Sequence, residues 1–448
     1  MQYSTFAAID IGSYDVILEI FEISKKQGIR SVDKICHRME LGKDTYTLGK
    51  IRPEMEEELC RVLADFVRIM EGYRVDDYRA AASSAISEAS NSLYVLGKIH
   101  QLTGLSVTVL SNSEQRFLSY KALAAMEDNF NKIIEKGTAI LDLDGGSFQI
   151  SLFDKDALVT TQNIRMGSLR IRERLAGIQS ETEHYEEMVE ELIWNEVSSF
   201  KKMYLKDRKI ENIMLIGDVF TDSVYQNIEE KTTKIISREN FNTWYEKIIR
   251  QSPMELAVKL GIPLENASLM YPSAVIYKCL IDMMGAEHIW IPGVHMTRGI
   301  AYEYAEQMKL LKGGHNFEND ILMAAKNIGK RYAVNRPHVQ NLEMTALAMF
   351  DATKKMHGMK ERERLLLQMA VMLHDVGKYI SFNNVADSSY NIIMSNEIIG
   401  LSHIEREMVA LIARYNTVTL PSYDELVMES SLLSLIHISE PTRLALIS

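Results

Sequence analysis

Residues 138–153 read TAILDLDGGSFQISLF, and the fold turns on them. An apolar run (Ala139, Ile140, Leu141) delivers Asp142 and then Asp144. Gly145, Gly146 and Ser147 follow, and a second apolar run leaves through Ile150, Leu152 and Phe153. Two strands pinched around Asp-x-x-Gly-Gly-Ser form a tight hairpin whose glycines can take positive φ and bare their N–H groups. Such N–H groups cradle phosphate oxygens, while a carboxylate at the strand end holds a metal or a water. Gly-Gly between strands is also an ordinary turn, and this stretch alone leaves both readings open.

Residues 5–21, TFAAIDIGSYDVILEIF, repeat the pattern: apolar strand, Asp10, Gly12, Ser13, then Val16, Leu18 and Ile20. Two such hairpins in one chain point to an internal duplication, a pair of related α/β lobes. Between them, a strand-rich patch ends at Leu41-Gly42. Pro53 then opens a helix whose buried face carries Met55, Leu59, Val62, Phe66 and Met70. A strand from Tyr78 runs into a helix capped by Ser83 or Ser84, and another, Ser106 to Leu110, meets SNSEQRF. There Ser111-x-x-Glu114 reads as a capping box. Polar residues 126–137 form the crossing between lobes. After the central hairpin come an amphipathic helical stretch at 163–175, the strand-turn IMLIGD at 213–218 and the turn HMTRGI at 295–300. From about 312 onward the pattern is purely helical.

The 448 residues allow two to four domains, and 46% hydrophobic with 25% charged residues is ordinary for a soluble globular chain. A net charge of −11 argues against a nucleic-acid binder and requires any phosphate site to be locally basic. Three cysteines without metal-ligand spacing fit a reduced cytoplasm. No apolar run reaches transmembrane length, and the Met1 end reads as a strand rather than a signal peptide.

Taken together, these stretches resemble the exopolyphosphatase / guanosine pentaphosphate phosphohydrolase (Ppx/GppA) family over about residues 5–430. The first phosphate loop of the family looks like AAIDIGSYD (7–15), and its serine-rich segment like AASSAISEASN (81–91). Its Ser-Gly-x-Glu-Glu helix start looks like SNSEQRF (111–117), and its second phosphate loop like DLDGGSFQ (142–149). Gly167 to Arg170 and Arg298-Gly299 complete the series. The resemblance implies two actin- and sugar-kinase-like lobes, residues 1–125 and 126–308, with a cleft between them. A helical HD-like domain follows at 312–432. It also implies hydrolysis of terminal phosphoanhydrides, with polyphosphate or guanosine pentaphosphate as substrate, Mg²⁺ as cofactor and a homodimer. Carried over residue by residue, Glu114 is the base and Asp142 the metal- or water-holding carboxylate, with Asp144 beside it. Gly12, Ser13, Gly145, Gly146 and Ser147 form the cradle, Asp10 lies beneath the first loop, and Arg170 is a surviving cation. Phosphoryl transfer asks for positioning and counter-charge more than covalent help, which suits such a set.

The chain departs from the pattern where the chemistry sits. Tyr14-Asp15 replace Asn-Ser, Ile17 and Ser87 replace arginines, and Gln115 replaces the second Glu. Asp144, Phe148 and Gln149 replace Gly, Thr and an acid, and a Gly-Gly turn reads Gly217-Asp218. Each lost arginine removes a contact of about 1.5–3 kcal/mol. The added carboxylate repels an anion at about 4 Å by ~4 kcal/mol at an effective dielectric near 20. Arg165 or Lys43 are candidate replacements. A rival reading follows: a catalytically degenerate protein that senses a nucleotide or partner by lobe closure. The active enzyme needs Glu114 and Asp142 converging on a pocket with a basic wall. The degenerate one has Tyr14 and Phe148 filling it.

In the helical part, RPHVQNLEMTALAMFD (336–351) places His338 at a helix start, and LLLQMAVMLHDVGK (365–378) supplies His374-Asp375, the signature pair of HD metal phosphohydrolases. These three could bind Mn²⁺ or Fe²⁺. The other reading is a hydrogen-bonded pair at a helix end stopped by Gly377. Asp387 and Asn416 stand where the family often shows His, which leaves a metal shell incomplete. The stretch 433–448, LSLIHISEPTRLALIS, breaks the helical pattern and resembles translated adapter sequence, so it reads as a non-native tail.

Overall fold

The computed structural model describes residues 3–126, 130–155, 157–176, 185–227, 234–311, 315–416 and 418–422. The stretch 433–448 lies outside them. The chain divides into two compact units at Asn316/Phe317.

The first unit holds two mixed sheets. Strands β1 (Ser4–Ile11), β2 (Asp15–Ser24), β3 (Gly28–Arg38), β4 (Asp77–Ala82) and β5 (Val107–Val109) lie in the order β3-β2-β1-β4-β5. Strands β6 (Thr138–Leu143), β7 (Phe148–Asp154), β8 (Ala157–Ile164), β9 (Asn212–Ile216), β10 (Ile235–Ser237) and β11 (His288–Trp290) lie in the order β10-β11-β9-β6-β7-β8. Each sheet has an antiparallel hairpin, with a third antiparallel strand outside it and parallel strands added on the other side, where the second sheet also carries β10, antiparallel to β11, at its edge. The duplication legible in the two Asp-Gly hairpins is therefore a duplication of sheet topology.

Alternation along β1 explains the layers of the first sheet. Ala7, Ile9 and Ile11 face one core, shared with Leu59, Leu63 and Phe66 of the helix Pro53–Gly72. Phe6 and Ala8 face the other, shared with Leu118 of the helix Asn112–Met126 and Ile300 and Tyr304 of the helix Met296–Gln307. A helix from the far end of the unit thus covers the first sheet. Pro53 does open its helix, whereas Leu41-Gly42 begins a helix, Leu41–Leu48, rather than closing a strand patch. Arg298-Gly299 likewise sits in a helical first turn, not in a loop. A Cβ on Gly299 would collide with the Leu118 carbonyl oxygen, so the two helices approach backbone to side-chain-free backbone. Gly299→Ala is expected to destabilise by about 1–3 kcal/mol through overpacking. A lower urea midpoint at unchanged m-value is the readout.

The second unit, through residue 422, is helical: Phe317–Arg331, Arg336–His357, Glu361–Leu373, Val385–Ser395 and His403–Arg414, with a 3₁₀ turn at Val376–Tyr379. Ile321, Leu366, Met369, Leu373, Ile393 and Val409 form its interior. Gly377 lies in the 3₁₀ turn, where a Cβ would strike the Val385 carbonyl oxygen, and its N–H donates to Ser389 Oγ at 2.9 Å. Close approach, rather than a helix-stopping conformation, is what requires a glycine there.

Candidate active site

Both hairpin loops end at equivalent places, Asp10 pairing with Ile17 and Asp142 with Gln149 in their strand registers. The loop glycines do not use positive φ, as Gly12, Gly145 and Gly146 all lie outside that region. They are glycines because the loops press against other parts. A Cβ on Gly145 would lie 3.3 Å from the Ser13 Cβ, and one on Gly146 would strike the Tyr46 hydroxyl. Their N–H groups are also partly engaged. Gly12 N donates to Asp15 O at 2.9 Å and Gly145 N to Asp144 Oδ1 at 2.6 Å.

Tyr46 occupies the space between the loops. Its hydroxyl lies 2.7 Å from Ser13 Oγ and 2.8 Å from Ser84 Oγ. Burial pushes its phenol up to about 12, so it stays a neutral hydroxyl. Arg170 stacks on the ring at 3.9 Å, donates from Nε to Gly146 O at 2.9 Å and pairs with Glu88 at 3.0 Å. Ser13, Gly146 and Arg170 are thus drawn together around a tyrosine, and neither they nor Ser147 line the neighbouring cavity.

That cavity, about 260 Å³, opens beside the loops and takes walls from both lobes. Asp10, Asp142, Asp144, Gly12 and Gly145 line it. Its charge is the reverse of expectation. Asp15, Asp218 and Asp222 join the three anticipated aspartates, against Lys34, Arg38 and Arg116. Arg165 and Lys43 are exposed and take no part in the lining. The crowded carboxyls respond. Burial, reinforced by Asp15 and Asp144, pushes Asp10 well up, and burial also raises Asp15. Burial raises Asp142 more than the adjacent Arg116 lowers it.

Arg116 is the residue that sequence reading missed. It projects from the helix Asn112–Met126, and its side chain is only 4% exposed. Nη1 donates to Asp142 Oδ1 at 2.9 Å and Nη2 to Ser147 Oγ at 3.0 Å. Asp10 Oδ1 is buried with no hydrogen-bond partner among the described residues, and Asp142 Oδ2 makes no bond of good geometry although the Ser119 hydroxyl is within reach of that carboxylate. Glu114, two residues before Arg116, is elsewhere. Its Oε2 accepts from Ser111 N at 2.9 Å and Ser111 Oγ at 2.8 Å, while Glu114 N donates to Ser111 Oγ at 3.2 Å. This is the capping box, and Glu114 is not among the cavity-lining residues. Glu114 and Asp142 do not converge.

Tyr14 borders the cavity without closing it. Its hydroxyl donates to Asn266 Oδ1 at 2.7 Å, and its ring packs with Leu169 and Leu269 of the second lobe. Phe148 points away into the core of the second lobe. A further bridge joins the lobes: Arg172 grips both oxygens of Glu40 at 2.8 Å.

In the second unit His338, His374 and Asp375 do come together, with one ligand atom of each within 4.8 Å of the others. His374 Nδ1 faces Val371 O at 2.7 Å, which leaves Nε2 as the available ring nitrogen. Asp375 is already paired, Oδ2 lying 2.6 Å from Lys378 Nζ. Asp387 pairs with Arg414 at 2.9 Å.

The comparisons agree with this architecture. A model of the Ppx/GppA phosphatase family matches residues 20–308, and one of the family's domain III matches residues 322–447. Two sheets of duplicated topology place the chain in a two-lobed α/β class followed by a helical domain. The chain belongs to the Ppx/GppA phosphatase family. A bifunctional 3-dehydroquinate synthase/phosphatase of Fusobacterium nucleatum is 21% identical over 310 residues, covering 63% of this chain and 44% of that protein. The chain therefore spans less than half the length of this relative. An exopolyphosphatase from Cytophaga hutchinsonii superposes with a TM-score of 0.60 at 17% identity, covering 68% of this chain and 98% of that one. The Aquifex aeolicus Ppx/GppA family member gives 0.57 at 17% identity, covering 68% and 99%. At such identity these likenesses show the fold alone. No helix of the described residues is long and apolar enough to cross a membrane.

Proposed function

We propose that the chain is a metal-dependent hydrolase of terminal phosphoanhydride bonds, with inorganic polyphosphate as first substrate and guanosine pentaphosphate as second. One observation carries the reading: a buried Asp142–Arg116 pair at the end of β6, whose carboxylate joins Asp10, with its unpartnered Oδ1, and Asp144 in one cavity. An orphaned carboxylate oxygen in an oxygen-rich pocket fits a hard divalent cation. Asp142 and Asp144 would hold Mg²⁺, which when bound supplies the positive charge that the acidic wall lacks. Arg116, Lys34 and Arg38 provide fixed counter-charge to a phosphoryl group entering past Gly12 and Gly145. The test is phosphate release from long-chain polyphosphate with Mg²⁺. Asp142→Asn is expected to lower release roughly 100-fold or more, in line with loss of one electrostatic partner at a reacting phosphoryl. An Asp142→Asn protein as active as the wild type would sink the reading.

A second reading is a catalytically silent binding protein of the same fold. Tyr46 between the phosphate loops and Glu114 held in its capping box favour it. It predicts saturable nucleotide or polyphosphate binding by calorimetry without phosphate release. We extend the proposal to the second unit, where His338, His374 and Asp375 would take Mn²⁺ or Fe²⁺ with an incomplete shell.

A further inference from the structure

If Glu114 is committed to its own helix, hydrolysis needs another base. The cavity offers one at the end of β9. Gly217 has φ +101°, and a Cβ there would sit 2.5 Å from Asp142 Oδ1. The chain is therefore pressed against the end of β6, and Asp218 enters the same cavity wall as Asp142 and Asp144. Asp218 Oδ1 accepts from Thr221 N at 3.0 Å and from the buried Tyr277 hydroxyl at 3.2 Å. The simplest account is an N-cap for the helix Val219–Asn227. That account uses only one oxygen. Oδ2 is buried and makes no hydrogen bond of good geometry, and the Ser273 hydroxyl is a further donor within reach of this carboxylate. We infer that Asp218 is the general base of the hydrolysis proposed above, receiving the proton of the attacking water on Oδ2.

The inference rests on that proposed activity. The water oxygen bonds to the terminal phosphorus and its proton passes to Asp218. The bridging P–O bond breaks, and its electron pair stays on the departing phosphate. Thr221 N and the Tyr277 hydroxyl fix the carboxylate through Oδ1, and the Ser273 hydroxyl, a free rotor, can turn to leave Oδ2 open to the proton. A capping carboxylate at a helix N-terminus should be held low, yet burial pushes this one up to about 7. The groups around it are Asp222 and Thr221 on its own helix, Tyr277 and Ser273 on the helix Leu264–Met284, and Asp142 beyond Gly217. His295, also in the cavity wall, lies 3.4 Å from Asp222.

The experiment is a pH–rate profile of phosphate release from long-chain polyphosphate with Mg²⁺. The wild-type rate should rise with pH through about 7, as the base loses its proton. Asp218→Asn should lower kcat roughly 100-fold and abolish that rise. Its melting temperature at pH 8 should equal or exceed the wild type's, because a raised carboxyl no longer ionises in a buried place. Tyr277→Phe removes a donor that stabilises the carboxylate, so the midpoint should move to higher pH. That shift decides the matter should Asp218→Asn fail to fold. An active wild type whose rate and pH rise survive Asp218→Asn, or vanish instead with Glu114→Gln, overturns Asp218 alone. A wild type that releases no phosphate overturns the hydrolase and its base together.

Discussion

Arg116→Ala is expected to cost about 3–5 kcal/mol at pH 8, the usual penalty for leaving one member of a buried ion pair uncompensated. The guanidinium offsets the burial of the Asp142 carboxylate, which is only 5% exposed. At pH 5 the loss should be distinctly smaller. Without its cation, the already raised Asp142 carboxyl protonates and stays buried as a neutral group. Urea unfolding at the two pH values measures both. The double variant Arg116→Ala/Asp142→Asn should be more stable at pH 8 than Arg116→Ala alone. An equal loss at both pH values would mean that Arg116 acts by packing, not by charge.

The second large effect concerns the whole acidic wall. Asp10, Asp15, Asp142 and Asp218 all have folded-state pKa values raised above the ordinary range near ~4. Between that range and about 7, where Asp218 titrates, the folded protein holds protons that the unfolded chain has shed. Stability must therefore fall as pH rises through this window. Divalent cation should reverse the loss. Mg²⁺ at roughly 100 times its dissociation constant adds about 2.7 kcal/mol to the state that binds it. Thermal melts at pH 5 and pH 8, with and without Mg²⁺, should show a gain of several degrees at pH 8 and little at pH 5. A melting temperature at pH 8 that ignores Mg²⁺ removes the cation from this cavity.

The duplicated hairpins were legible because a strand that must bury one face, turn and return writes alternation and glycines into the chain. So were Asp10, Asp142 and Asp144, since a strand end next to a Gly loop has one place to point. The reason for the glycines was not legible. Positive φ and close approach both forbid a Cβ, and the letter G records either. Glu114 carried its fate in its own neighbourhood, since Ser111 three residues earlier is a nearer partner than anything across a lobe. Arg116 and Tyr46 left no local mark. Arg116 meets Asp142, 26 positions further along the chain, only when the helix and β6 have packed, and Tyr46 meets Gly146 only once two lobes are in place. Asp218 stood in the sequence as a departure from a Gly-Gly turn. Its second oxygen became visible only when the burial around it was known.

The Tyr14–Asn266 and Arg172–Glu40 bridges fasten the lobes along one flank, next to the Tyr46 plug. Arg38 lies over the Tyr14 ring at 5.5 Å, so the flank that carries these bridges also carries one of the cavity's cations.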